Sequence, residues 1–91
     1  MLIKELSMKA EKSSVNHRLA IVRGQVEGVV RMVEDDAYCV DISNQILAII
    51  SGLKKVNQLI LSAHLEHCLR HAQGEELDNK ISEIENLLNR L

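Results

Sequence analysis

The feature that most constrains this chain is the stretch from Cys39 to about Ala72, which contains no proline and has only Gly52 as an interruption. Within it Ile42, Ile46, Ile49, Leu53, Val56, Ile60 and Ala63 recur at alternating steps of four and three, the spacing of one apolar helix face. Leu47, Ile50, Leu59, Leu61 and Leu65 widen that face, so the helix is expected to be covered on more than one side. At ~1.5 Å per residue it spans roughly 48 Å. The whole chain has 91 residues, too few to wrap so long a rod. An apolar helix that its own chain cannot cover predicts an oligomer.

Two shorter patterns flank it. Val15, Leu19, Val22, Val26, Val29 and Val33 form an unbroken stripe, predicting a helix from about Val15 to Val33 with Ser13 or Ser14 as its cap. The acidic turn from Glu34 to Ala37 ends it, and Gly24 and Gly28 are expected to allow another backbone close. Gly74 is expected to stop the long helix as a left-handed cap, before a third stripe of Leu77, Ile81, Ile84, Leu88 and Leu91. Glu75, Glu76 and Asp78 suit the positive end of that third helix. The fold class expected is all-α: one domain over residues 1–91, a three-helix protomer with a long central helix, and residues 1–12 as a flexible N-terminal arm.

Composition narrows the function. Apolar residues make up 46% of the chain, yet Phe and Trp are absent and Tyr38 is the sole aromatic, so Ile, Leu and Val must build the core. That apolar periodicity is too strong for a disordered chain. The N-terminal stretch lacks the apolar core of a signal peptide, and no run of eighteen apolar residues occurs, so a cytoplasmic protein with no membrane span is expected. The net charge of −2 conceals a basic first third, +3 over residues 1–33, against −5 over residues 34–91, compatible with a polyanionic partner or with a solvated helix face. No catalytic acid–base pair is recognisable, and an enzyme is not expected.

The chemistry concentrates in "LSAHLEHCLRHA", residues 61–72, where His64, His67, Cys68 and His71 lie within about two helical turns. The other cysteine, Cys39, is 25 residues before His64, or about 37 Å along a continuous helix. Yet at about 100° per residue His64 and Cys68 fall only ~20° to either side of the azimuth of Cys39. Two such helices packed antiparallel, crossing near residues 52–53, would bring Cys39 of one chain beside His64 and Cys68 of the other. Two-fold symmetry would make the sites a reciprocal pair, with Ile46, Ile50, Leu53 and Asn57 along the seam. Two thiolates and an imidazole suit a soft ion, Cu(I) first and zinc as competitor. A buried core His and Cys remains the alternative for the His64/Cys68 pair. Tyr38 can hydrogen-bond the imidazole from beyond the ligand shell, or simply be a half-buried aromatic at a helix start. His67 and His71, rotated by about 80° and about 40° from the azimuth of Cys39, are expected to be solvated.

The string "HRLAIVRGQVEGVVRMVEDDAYCVDISNQILAIISGLKKVNQLILSAHLEHC" resembles the CsoR/RcnR family of bacterial repressors, the copper-sensitive operon repressor group in particular. Its marks are the "RGQV-x-G" segment, the "YC" before the long helix, and the spacing of Cys39, His64 and Cys68. The resemblance implies an all-helical antiparallel dimer assembling into a dimer-of-dimers tetramer. It also implies a repressor that binds operator DNA without metal and releases it on binding Cu(I). Nickel, formaldehyde and persulfide sensors of the family each lack one of the three residues, so the full set favours copper. The resemblance further places an acid of the third helix near the histidine, Glu83 first and Glu76 in reserve. For DNA it supports Arg18, but Ile21 and Glu27 stand where bases are common; Arg23 partly compensates, and Lys54 and Lys55 are candidate phosphate contacts. Two alternatives stay open: a sulfur-species sensor linking Cys39 to Cys68, and a copper buffer or chaperone without DNA binding.

Overall fold

A computed structural model describes residues 8–90 of the chain; Leu91, Lys4, Glu5 and the first part of the expected arm lie outside them. Three helices follow in order: α1 (Lys12–Glu34), α2 (Cys39–His71) and α3 (Gly74–Leu88). The central helix is unbroken over 33 residues. α1 runs back along it: Val15 joins Ala10 and Val56 in a small core to which Leu59, Ile60 and Ala63 add, while Val22 reaches Gly52. α3 folds back on the far end of α2, where Leu61 and Ile84 are the buried side chains of a shared groove.

The helix ends differ from the expected ones in informative ways. α1 starts at Lys12 with Glu11 in the cap position, so Ser13 lies inside the helix and its hydroxyl donates to the Glu11 carboxylate at 2.6 Å instead of capping. Ala10 is buried against Val15 and Val56, so residues 10–12 belong to the folded body and not to a free arm. The end of α1 is a Schellman motif: Asp36 N–H donates to Val33 C=O (3.2 Å) and Ala37 N–H to Met32 C=O (2.9 Å), with Asp36 in the left-handed region at φ 53. α2 stops at Ala72, which turns extended (φ −98, ψ 152). Gly74 does take a left-handed φ of 60, but as the first residue of α3. The two helices are therefore joined by two residues only, Ala72 and Gln73.

Each expected stripe is split in two by packing. In α1, Val15 and Val22 are buried and Val29 is half-buried, whereas Leu19, Val26 and Val33 are exposed. In α2, Ile49 and Val56 are buried and Ile42 and Ala63 half-buried, whereas Ile46 (42%) and Leu53 (44%) are exposed and Ile60, the next of that set, is half-buried against the core. Every seventh residue of these two stripes is thus covered within the chain, and the set half a heptad away faces outward except at Ile60. That is the pattern of helices with a second partner still to meet. The protomer exposes 7113 Å², where a monomer of its mass is expected to expose roughly 5,300 Å². α2 is also long and apolar enough to cross a membrane by length and composition. Lys54 and Lys55 stand exposed near its midpoint, however, and each would cost about 3 kcal/mol at a bilayer centre.

The glycines correct one expectation. A side chain at Gly24 would meet nothing within 4 Å, and one at Gly28 would meet only the Arg31 guanidinium at 3.9 Å. The close approach is at Gly52, whose Cβ position lies 3.4 Å from Val22 Cγ2.

Candidate metal centre

The unbroken α2 decides the first question about the sulfur and nitrogen ligands. Cys39 is its first residue and His64 its twenty-sixth, so a straight rise of ~1.5 Å per residue holds them about 37 Å apart in one chain. Among the described residues no three His, Cys, Asp or Glu side chains converge as a metal site. The two cysteines also differ in surroundings. Cys39 is exposed at the start of α2, and Cys68 is buried, 3% accessible, where α3 covers the other end.

His64 and Cys68 do share a wall. They line a cavity of about 140 Å³ between the last turns of α2 and the first turns of α3, together with His67, His71, Ala72, Glu76 and Lys80. The two-residue link explains why α3 arrives there: it permits only a sharp reversal, laying residues 76–80 beside 68–72. One turn further along α3, Glu83 lines the neighbouring groove with His64, Leu61, Ile84 and Leu87, and Met8 and Lys9 from the start of the chain close it. His64 is half-buried between these spaces. Of the two acids considered from sequence, Glu76 therefore shares a cavity with both His64 and Cys68, and Glu83 shares one with His64 alone.

Of the two histidines expected to be solvated, His71 is exposed and His67 is half-buried, and the two imidazoles pack at 4.5 Å between centroids, tilted by 40°. Their i, i+4 spacing was visible in the sequence, but whether they faced water depended on α3, whose path the stripes alone do not specify. Lys80 reaches the same cavity for the same reason. Tyr38, just before α2, is 69% exposed, so within one protomer it is not the half-buried aromatic that served as its alternative role.

The candidate phosphate contacts are accessible. Arg18 and Arg23 are exposed on α1, and Lys54 and Lys55 are exposed on α2. Arg23 lines a shallow depression with Asn16 and His17. Lys54 edges an apolar groove formed by Ile50, Leu53, Val56 and Ile60, and Arg90, just beyond α3, closes it with a second base.

Comparison with known proteins adds a family to this geometry. Residues 11–90 match the family model described as metal-sensitive transcriptional repressor. The copper-sensing transcriptional repressor CsoR of Mycobacterium tuberculosis is 48% identical over 69 residues, 76% of this chain and 56% of the relative. This chain thus spans little more than half the length of the CsoR relatives it matches at that identity. The copper-sensing transcriptional repressor RicR of the same species is 39% identical over 84 residues, 89% of this chain and 88% of RicR. Among solved structures, CsoR with Cu(I) from Geobacillus thermodenitrificans superposes with a TM-score of 0.73 at 35% identity, covering 86% of this chain and 82% of that one. The nickel-responsive regulator InrS superposes with a TM-score of 0.74 at 26% identity, covering 92% and 96%.

Proposed function

We propose that this chain, which belongs to the CsoR/RcnR family of metal-sensitive transcriptional repressors, is a cytoplasmic copper-responsive repressor. It binds operator DNA without metal and releases it when Cu(I) is held by Cys39 of one protomer with His64 and Cys68 of another. The observation that carries this reading is the unbroken α2, which sets three donors on one azimuth at opposite ends of a rod about 50 Å long. Only an antiparallel second copy can unite them. The outward half of each heptad stripe supplies the apolar seam for that copy, and a dimer of such dimers makes the tetramer.

The ligand set discriminates between metals. A nickel-responsive protein shares the fold, so the fold does not select the ion. Two thiolates and one imidazole, without a carboxylate among them, favour a soft monovalent ion that accepts low coordination. Their union across the seam holds two α2 helices in one relative position. Lys54 and Lys55 ride on those same helices, and Arg18 and Arg23 on the α1 packed along each of them, so a change in crossing moves all four against the phosphate spacing. Linkage makes the coupling reciprocal: DNA weakens metal binding by the same factor, typically ~1–3 kcal/mol. Tyr38 of one chain and Glu83 or Glu76 of the other can hold the free nitrogen of His64 and so fix the ring's orientation.

Mixing two inactive variants tests the shared site. Cys39→Ala and Cys68→Ala homodimers each lack a complete donor set. A hybrid dimer of one chain of each keeps one wild-type site in the antiparallel arrangement, because Cys39 of the second chain faces Cys68 of the first. Unfolded and refolded as a mixture, the hybrid should regain a single Cu(I) equivalent per dimer with the wild-type absorption edge. If Cu(I) is bound by neither homodimer nor hybrid, the intersubunit site is wrong.

A further inference from the structure

The pair His67 and His71 is not used by that reading, and its surroundings are those of a second ligand set. Both rings lie on one face of α2 at i and i+4, with centroids 4.5 Å apart, and both line the cavity that Glu76 enters from α3. From this arrangement we infer that His67, His71 and Glu76 form a site for a borderline divalent cation such as Zn(II), separate from the thiolate set. The donors are two imidazoles and a carboxylate, the set that borderline divalent ions favour and that Cu(I) does not. Helical i, i+4 imidazoles stand on adjacent turns and can chelate one ion after modest side-chain rotation. The rings here pack tilted against each other, and among the described residues no three donors already converge, so the ion itself gathers them.

The consequence is mechanical. α3 fully buries one side chain, Ile84, with Leu77 and Ile81 half-buried, while its first turn follows a two-residue link containing no hydrogen-bonded cap from a side chain. Bridging Glu76 to His67 and His71 clamps that first turn down and closes the cavity over Cys68 and His64. A divalent ion would thus restrict access to the buried half of the copper site. Lys80 lines the same cavity, and its ammonium opposes the bound cation.

Co(II), a spectroscopic substitute for Zn(II), provides the test because thiolate ligation adds an intense near-ultraviolet charge-transfer band that nitrogen and oxygen ligands lack. In the full-length Cys39→Ala/Cys68→Ala protein, one equivalent of Co(II) per chain should bind with weak visible bands and no charge-transfer band. His67→Ala/His71→Ala should abolish that uptake, Glu76→Gln should weaken it, and Lys80→Gln should tighten it. Should the thiol-free protein lose its helical circular dichroism, the same titration of wild-type protein should show one equivalent free of the charge-transfer band. No such equivalent in either protein, or uptake that survives loss of both histidines, overturns the proposal. So does loss of Cu(I) binding in His67→Ala/His71→Ala, which would assign the pair to the thiolate site. The hybrid-dimer experiment is blind to both histidines, so either reading can fail alone.

Discussion

Asp36 shows how much a single residue decides. It occupies the left-handed position of the α1 terminus at φ 53, where glycine is the usual occupant because a Cβ crowds the following carbonyl. Its carboxylate also sits at the negative end of α1, an unfavourable place for an anion. Asp36→Gly should therefore raise stability by about 1 kcal/mol, visible as a higher thermal midpoint; a lower midpoint would mean that the side chain holds something in the assembled protein. The common azimuth of Cys39, His64 and Cys68 is legible at this scale, because angular position on a helix follows from residue number alone. The cavity that His67, His71, Glu76 and Lys80 share is not, since it exists only once α3 has turned back.

At the scale of elements, the three helices and their approximate limits follow from apolar periodicity, because a stripe must face something. The ends were read less well. The cap expected at Ser13 or Ser14 lies at Glu11, because the helix starts at Lys12, and the Ser13 hydroxyl bonds to the Glu11 carboxylate instead. Gly24 and Gly28 are the pair expected to admit another backbone, yet within the protomer it is Gly52 that meets another helix. Spacing identifies small residues but not which helix face a neighbour takes. A methyl group at Gly24 has open space around it, so Gly24→Ala should stabilise the protein by about 1 kcal/mol through helix propensity. Denaturant titration checks this, and a loss of stability instead would show that a second copy packs against Gly24.

At the scale of the whole molecule, the exposed half of each stripe is the dominant fact. In a lone protomer, a surface change at Leu53, 44% exposed, would shift stability by no more than about 0.5 kcal/mol. On a seam between copies it buries an unpaired charge. Leu53→Glu should therefore split the assembly into monomers in sedimentation and lower the thermal midpoint by several degrees, since ~1 kcal/mol moves a domain of this size by about 4–8 °C. An unchanged mass and midpoint would show that the seam lies elsewhere.

The sequence by itself determined three helices, a central one too long for its chain, and three soft-metal donors on one azimuth, because helical rise and twist are the same wherever a helix forms. Only the tertiary structure decided which half of each stripe is already covered, that Cys68 is buried while Cys39 is exposed, and that Glu76 and Glu83 each line a space beside His64. Those outcomes depend on where α1 and α3 cross α2, and a crossing is set by side chains from distant parts of the chain packing at once, which no local period records.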